Sequence, residues 1–157
     1  MNKELMFSSK KDDWETPQSF FNELNKKYNF NWDLASSDAN AKCVNHFTVD
    51  DDSLSQDWSA LEGNLWLNPP YGRELKHWVK KAYESSLNRE GALVMLIPSR
   101  TDTSYWHDYI FDKAEIKFIR GRLKFENGGM ASQPAPFPSA LITYGKTFDD
   151  YALIFKC

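Results

Sequence analysis

The tetrapeptide Asn68-Pro69-Pro70-Tyr71 contains the groups needed to activate a planar amino group as a nucleophile. The nitrogen of such a group is a poor nucleophile, because its lone pair is delocalised into the adjacent π system. The side-chain oxygen of Asn68 can accept one amino hydrogen, and a main-chain carbonyl held rigid by the two prolines, such as that of Pro69, can accept the other. Two acceptors bias the nitrogen toward a tetrahedral geometry, which stabilises the transition state more than the substrate. This chemistry needs no strong base, and an asparagine could not act as one.

Tyr71 adds an aromatic face to this group of residues. Enzymes that modify a base within a duplex extrude it, and an aromatic ring allows the extruded base to stack. The same four residues also suit a turn at the end of a strand, because Pro-Pro stiffens a bend and Asn68 and Gly72 favour turns. The surrounding sequence therefore has to decide between a catalytic and a structural interpretation.

Alternating helix and strand patterns surround the tetrapeptide. Thr16 as N-cap and Pro17 as first helical residue predict a helix over about residues 17–27. Two further helices are predicted, one from Leu75 to Ala82 and one around residues 105–110. Alternating or continuously apolar runs predict strands at residues 30–35, 46–49, 64–67, 92–97, 116–119, 122–125, 140–144 and 153–155.

These patterns predict an α/β fold with an open sheet that is parallel at its centre and antiparallel near the C-terminus. Asp33 and Asn68 both fall at the carboxyl ends of predicted strands, the edge at which open sheets bind ligands. Residues 1–157 are expected to form a single domain, with residues 1–13 flexible. Residues 126–138 are rich in glycine and proline, and they are predicted to form a mobile loop rather than a regular element.

The composition narrows the class of protein. With 157 residues, of which 41% are hydrophobic and 15% aromatic, the chain can bury one substantial core. It contains neither a run of about 18 apolar residues nor a signal-peptide pattern, so we expect a cytoplasmic protein. Cys43, Cys157 and the three histidines lack the spacing of metal ligands, so no metal is expected.

A series of short motifs occurs in a fixed order along the chain. They are Trp14-x-Thr16-Pro17-x-x-Phe20-Phe21, Asp33-x-Ala35-Ser36, Asn40-Ala41-Lys42-Cys43, Asp52-x-Leu54, Asp57-Trp58, the tetrapeptide with Gly72, Pro98-x-Arg100-x-Asp102-Thr103 and Gly121-Arg122. This order resembles the small phage-encoded DNA N-6-adenine methyltransferase (Dam) family over roughly residues 14–145. The resemblance implies a Rossmann-like methyltransferase fold, S-adenosylmethionine as methyl donor and adenine in DNA as acceptor.

The resemblance also implies roles for individual residues. Catalysis would fall to Asn68, Pro69, Pro70 and Tyr71. The donor would be bound by Trp14, Thr16, Pro17, Asp33, Ala35, Ser36, Asp52 and Asp57. Ala35 and Ser36 would replace the glycine-rich turn that most such enzymes use, since the first glycine of this chain is Gly63.

Structural roles compete with several of these assignments. Trp14 could equally be a core residue, and Asp33 and Asp57 could cap turns. Asp50, Asp51 and Asp52 are all plausible partners of the donor ribose, although the resemblance favours Asp52.

The charge distribution suggests where DNA would bind. The net charge of −3 does not favour binding by overall electrostatic attraction, but a local basic face remains possible. We predict that four arginines contact DNA: Arg73, Arg100, Arg120 and Arg122. Arg120 and Arg122 straddle Gly121 in a predicted hairpin and would share one face of a sheet. For Arg100, an ion pair with Asp102 is the structural alternative.

Two other functions fit part of the pattern. A methyltransferase acting on another planar amine, in RNA adenine or a protein glutamine, would need the same tetrapeptide. A non-catalytic nucleotide-binding or nucleic-acid-binding module could retain the fold without turnover. The presence of both Asn68 and Tyr71 argues against such a module, because binding alone does not require them.

Overall fold

A computed structural model of the chain describes residues 12–145. Its main feature is a six-stranded sheet with the strand order β2-β1-β3-β4-β8-β5. The strands of this sheet are β1 (Trp32–Asp33), β2 (Asn45–His46), β3 (Leu65–Leu67), β4 (Leu93–Pro98), β5 (Glu115–Phe118) and β8 (Ser139–Tyr144). A separate hairpin consists of β6 (Glu126–Asn127) and β7 (Met130–Ala131). The helices are α1 (Gln18–Tyr28), α2 (Leu75–Ser86) and α3 (Ser104–Tyr109).

The sheet combines a parallel centre with an antiparallel edge. Strands β2, β1, β3 and β4 run parallel, whereas β8 lies antiparallel between β4 and β5. The predicted α/β fold, with its parallel centre and its late antiparallel strands, is therefore confirmed. No helix within residues 12–145 is long and apolar enough to span a membrane.

Helices cover both faces of the sheet. Phe21 of α1 contacts Trp66 of β3, with ring centroids 5.5 Å apart, and Tyr83 of α2 contacts Tyr144 of β8 at 6.0 Å. The strand register places Trp66 and Thr143 on one face, so Tyr144 projects from the other. All residues of β3, β4 and β8 are buried between these layers, which is why the sequence run of β4 is continuously apolar rather than alternating.

The first helix begins one residue later than predicted. Pro17 occupies the N-cap position and no side-chain hydrogen bond caps the helix from there, so the assignment of Thr16 as N-cap is wrong. The strand predicted at 30–35 exists as β1, which contains only two residues. The strand predicted at 46–49 overlaps β2 at His46 alone, because Val49 already belongs to a 3-10 helix. The strand predicted at 153–155 and residues 1–11 lie outside the described part of the chain.

The largest difference from the sequence prediction lies between β5 and β8. No strand forms at residues 122–125, because Gly121, with φ of +75°, turns the chain and only two main-chain hydrogen bonds link this segment to residues 132–135. Arg120 and Arg122 therefore do not share a sheet face, and that prediction is wrong. The hairpin β6–β7 forms instead within the segment predicted to lack regular structure, with Gly128 and Gly129 at its turn. The mobility of residues 126–138 stays a prediction.

Candidate active site

Asn68 follows β3 directly at the carboxyl edge of the sheet, and its side-chain amide is held from both ends. Its Nδ2 donates to the main-chain oxygen of Trp14 at 2.5 Å and to Oγ1 of Thr16 at 2.9 Å. Its Oδ1 accepts from the Tyr71 hydroxyl at 2.6 Å. Because a main-chain carbonyl can only accept, the nitrogen must face Trp14 and the oxygen must face the opposite side. The amide therefore presents a fixed acceptor at the rim of the sheet.

The two prolines explain the position of the Tyr71 hydroxyl. Pro69 and Pro70 have no N–H with which to continue the ladder beyond β3. The main-chain oxygen of Leu96 in β4 lies 2.8 Å from the Tyr71 hydroxyl, which thus has two acceptors for its single proton. Burial raises the pKa of Tyr71 well above its ordinary value, so this proton is retained at neutral pH.

The ring of Tyr71 is enclosed by other aromatic side chains. It is 5% exposed, and Phe125 and Phe137 contact it edge-on at centroid distances of 6.1 and 5.7 Å. Trp14 contacts the same two phenylalanines at 5.6 and 5.1 Å. The ring face that was expected to accept a base is covered in this conformation. Stacking on Tyr71 therefore requires Phe125 or Phe137 to move.

A segment near the N-terminus, residues 12–16, lies across the tetrapeptide. The N–H of Tyr71 donates to the main-chain oxygen of Asp12 at 2.8 Å. A Cβ at Gly72 would lie 2.5 Å from the Asp12 carboxylate, so a larger residue at this position would force the Asp12 side chain to turn away. Sequence reasoning assigned Trp14 and Thr16 to the donor, and it missed that both hold the Asn68 amide.

The same segment joins the tetrapeptide to the hairpin. Glu15 forms an antiparallel bridge with Glu126, and its side chain accepts from the N–H of Gly128 at 3.3 Å. The Glu126 carboxylate accepts from the N–H of Gln18 at 3.2 Å. The first turn of α1 thus takes its side-chain acceptor from a residue 108 positions away in sequence.

Asp33 ends β1, beside the strand that carries Asn68, and it is 2% exposed. Its carboxylate accepts from the N–H of Ala35 at 3.3 Å and from the N–H of Lys42 at 2.9 Å, so it closes the turn after β1. Burial raises the pKa of Asp33 to about 6, despite these two hydrogen bonds. Within residues 12–145 it forms no ion pair. The result is a buried carboxylate that a cationic ligand group would stabilise.

The turn between β1 and β2 is ordered by short-range contacts. The N–H of Ser36 donates to the main-chain oxygen of Phe47 at 3.0 Å, which joins the carboxyl ends of the two strands. Ala35 and Ser36 thus form a defined turn without glycine. This is the position at which most such enzymes have a glycine-rich turn.

The acidic residues after β2 have different roles. The Asp51 carboxylate accepts from the N–H of Thr48 at 2.7 Å, which is one half of a capping box, and it also accepts from the Thr48 hydroxyl at 3.2 Å. Asp50 and Asp52 are exposed, and their carboxylates accept no hydrogen bond within the described residues. Asp57 accepts from the N–H and hydroxyl of Ser59, which lower its pKa, and so it caps the short turn that follows. The geometry leaves Asp50 and Asp52 available for a ligand.

The four arginines predicted to contact DNA are all exposed, but their surroundings differ. Arg73 follows the tetrapeptide directly. The structural alternative for Arg100 is not found, since no ion pair joins it to Asp102 in the described part of the chain. Arg122 donates to the main-chain oxygen of Ala135 at 3.2 Å and so holds the segment that contains Phe137.

A surface groove of about 670 Å³ lies between α2 and the segment from Leu54 to Ser59. It is lined by residues of both charge signs, including Glu74, Glu84, Lys80 and Lys81, and by none of the tetrapeptide residues. The groove is therefore separate from the site around Asn68. Among residues 12–145, no three histidine, cysteine, aspartate or glutamate side chains are grouped so that they could hold a metal ion.

Comparison with known proteins identifies related sequences. The profile of the DNA N-6-adenine-methyltransferase (Dam) family matches residues 4–154. The DNA N-6-adenine-methyltransferase of Escherichia phage T1 is 30% identical over 114 residues, which are 72% of this chain and 47% of the phage T1 protein. The DNA N-6-adenine-methyltransferase of Haemophilus phage HP1 is 29% identical over 130 residues, which are 81% of this chain and 73% of the phage HP1 protein. The chain thus spans about half the length of the first relative and most of the second.

Proposed function

Because the chain belongs to the DNA N-6-adenine-methyltransferase (Dam) family, we propose that it transfers a methyl group from S-adenosylmethionine to the 6-amino group of adenine in DNA. The observation that carries this proposal is the orientation of the Asn68 amide. Its nitrogen is held by Trp14 and Thr16, and its oxygen is directed away from them as an acceptor. An amino group of the substrate needs such an acceptor.

The protein groups act mainly by holding the two amino hydrogens. S-adenosylmethionine supplies an electrophilic methyl group on a sulfonium. Asn68 Oδ1 has two lone pairs, of which one receives the Tyr71 hydroxyl and the other can receive an amino hydrogen. The main-chain oxygen of Pro69 is the proposed acceptor for the second hydrogen. The nitrogen lone pair is then free to attack the methyl carbon, whose bond to sulfur breaks so that the neutral thioether S-adenosylhomocysteine leaves. The excess proton can pass to water because an N-methylated ammonium is strongly acidic.

The buried carboxylate at the end of β1 supports a cationic donor. S-adenosylmethionine carries positive charge on its sulfonium and its amino group, and Asp33 has no ion-pair partner within residues 12–145. We assign Asp33, Pro17, Ala35 and Ser36 to the methionine side of the donor. Asp52 is assigned to the ribose because the family resemblance favours it over the likewise exposed Asp50, whereas Asp51 is engaged in its capping box. The donor adenine would then lie toward Asp57.

Exposed cations support an approach of DNA across the carboxyl edge of the sheet. Arg73 lies next to the tetrapeptide, and Arg100 follows β4 at the same edge. Arg120 is exposed on the loop after β5. The phage origin of both relatives supports action in the cytoplasm of a bacterial host.

The test uses three separate reactions. Each contains the protein, a donor with a labelled methyl group and one acceptor, which is duplex DNA, RNA or a glutamine-containing peptide. After the DNA is digested to nucleosides, mass spectrometry should detect labelled N6-methyldeoxyadenosine. Label found only in RNA or only in the peptide would assign the protein to another planar amine. Label in none of the three would support a non-catalytic module.

A further inference from the structure

Thr16 is a buried polar residue whose hydroxyl is not used to cap the adjacent helix. It is 2% exposed, and α1 begins two residues later with Pro17 at its N-cap. The N–H of Gln18 is satisfied by the Glu126 carboxylate instead. The Thr16 hydroxyl is thereby left to contact the Asn68 amide, at 2.9 Å.

This contact determines how firmly the amide is held. Nδ2 of Asn68 carries two hydrogens, and the main-chain oxygen of Trp14 accepts one while Thr16 Oγ1 accepts the other. The Trp14 oxygen alone fixes which end of the amide carries the nitrogen. A second acceptor restrains rotation of the amide plane, and with it the direction of the free lone pair on Oδ1. Small errors in such a direction lower the rate strongly, because the reacting groups must be aligned before the reaction occurs.

We propose that Thr16 is a positioning residue for methyl transfer, which acts through Asn68 by holding its amide plane. This proposal rests on the proposed function of Asn68 as the acceptor of an amino hydrogen. It differs from the role that the family resemblance implies for Thr16, which is direct contact with the donor. It also differs from a purely structural role, because the hydroxyl would affect the rate even in a fully folded protein.

The experiment is a double-mutant cycle that combines Thr16→Val with Asn68→Ala. Valine keeps the shape of threonine and removes the acceptor, whereas Thr16→Ser keeps the acceptor. Thr16→Ala is a second variant without the hydroxyl, in case valine impairs folding. Thr143→Val is the matched control, since Thr143 is also 2% exposed but lies within β8. For each protein we would measure kcat, KM for DNA, the donor Kd and the melting temperature, with kinetics run well below each melting temperature.

The expected result is a decrease in kcat on the order of 10-fold for Thr16→Val and Thr16→Ala, as for other groups that orient a functional side chain from behind it. Thr16→Ser should recover most of the rate, and the donor Kd should not change. In the Asn68→Ala background, Thr16→Val should cause no further decrease, because a group that acts through Asn68 has nothing left to position. Thr143→Val should retain the parent kcat.

Three results would overturn the positioning role. The first is that the single variants Thr16→Val and Thr16→Ala both keep the parent kcat although the single variant Asn68→Ala has a lower kcat. The second is a weaker donor Kd with an unchanged kcat at saturating donor, which would assign Thr16 to donor binding. The third is a full additional loss in the Asn68→Ala background. If Asn68→Ala itself keeps the parent rate, the proposed role of Asn68 fails first, so the two failures are distinguishable.

Discussion

The Tyr71 hydroxyl lies 2.6 Å from Oδ1 of Asn68, so the last residue of the tetrapeptide donates to the side chain of the first. The main-chain oxygen of Leu96 offers the same hydroxyl a second acceptor at 2.8 Å. The hydroxyl can therefore support Asn68, or turn to Leu96, without losing a partner. This relationship separates the role of the hydroxyl from that of the ring.

Tyr71→Phe removes the hydroxyl and keeps the ring. We expect the single-turnover methylation rate to fall by roughly fivefold, since a hydrogen bond contributes about 1 kcal/mol net. Tyr71→Ala should cost more, because it also removes the buried ring that packs against Phe125 and Phe137, and with it any base stacking that a movement of these two rings would allow. A Phe variant as slow as the Ala variant would show that the hydroxyl is the main contribution. A Phe variant at the parent rate would show that the hydroxyl does not support Asn68.

The donor should stabilise the folded protein. Binding at a concentration of 100 times Kd adds about 2.7 kcal/mol to the free energy of unfolding. We expect Asp33→Asn to reduce the increase in melting temperature at a fixed donor concentration, because a cationic donor loses its buried counter-charge. Thermal melts of both proteins, with and without S-adenosylmethionine, provide the measurement. A parent melt that does not respond to saturating donor would exclude the donor assignment.

Asp33 should also make stability depend on pH. Its pKa rises from an ordinary value of 3.8 to about 6 on folding, so the folded state favours the protonated form. The associated stability is complete below about pH 4 and is lost as pH rises toward about 6, a decrease of about 3 kcal/mol. Urea unfolding of the parent and of Asp33→Asn across this range should show the decrease as the difference between the two profiles, because the other titratable groups are common to both proteins. Equal pH profiles would contradict the shifted pKa.

The sheet was predictable because its signal is local. The run from Leu93 to Pro98 is continuously apolar, which suffices to predict a buried parallel strand. Thr16 was incorrectly assigned as the N-cap of α1, because a threonine before proline is a local pattern typical of a helix cap. In the structure its hydroxyl instead accepts a hydrogen bond from Asn68, which lies 52 positions away in sequence. No sequence pattern reports such a contact.

Two other features had signals that could have been used. Gly128-Gly129 predicts a tight hairpin turn as well as a break in regular structure, and the structure contains the hairpin. Thr48 and Asp51 have the spacing of a capping box, which would have separated Asp51 from its two neighbours. The enclosure of Tyr71 by Phe125 and Phe137 depends on the long loop after β5, whose path the sequence pattern did not define.

The arginines after β5 should differ in their effect on DNA binding. If Arg120 contacts a phosphate, Arg120→Ala should lower the magnitude of the salt slope by about 0.9 and weaken all sequences equally. Arg122→Ala should in addition lower the melting temperature, because it releases the main-chain oxygen of Ala135. Lys26→Ala is the control, since Lys26 lies in the last turn of α1, at the end far from Thr16. If Arg120→Ala keeps the salt slope of the parent, Arg120 does not contact a phosphate, and Arg73 becomes the next arginine to test.

The most direct test of the central claim is the methylation rate of Asn68→Ala at saturating donor and DNA. Loss of one preorganised hydrogen bond to a reacting group typically costs about 100- to 1,000-fold in rate. We expect a decrease of that size in N6-methyladenine formation, with the donor Kd close to that of the parent, because no donor contact is assigned to the Asn68 amide. A variant that methylates DNA at the parent rate would contradict the role of Asn68 as the acceptor of the amino hydrogen.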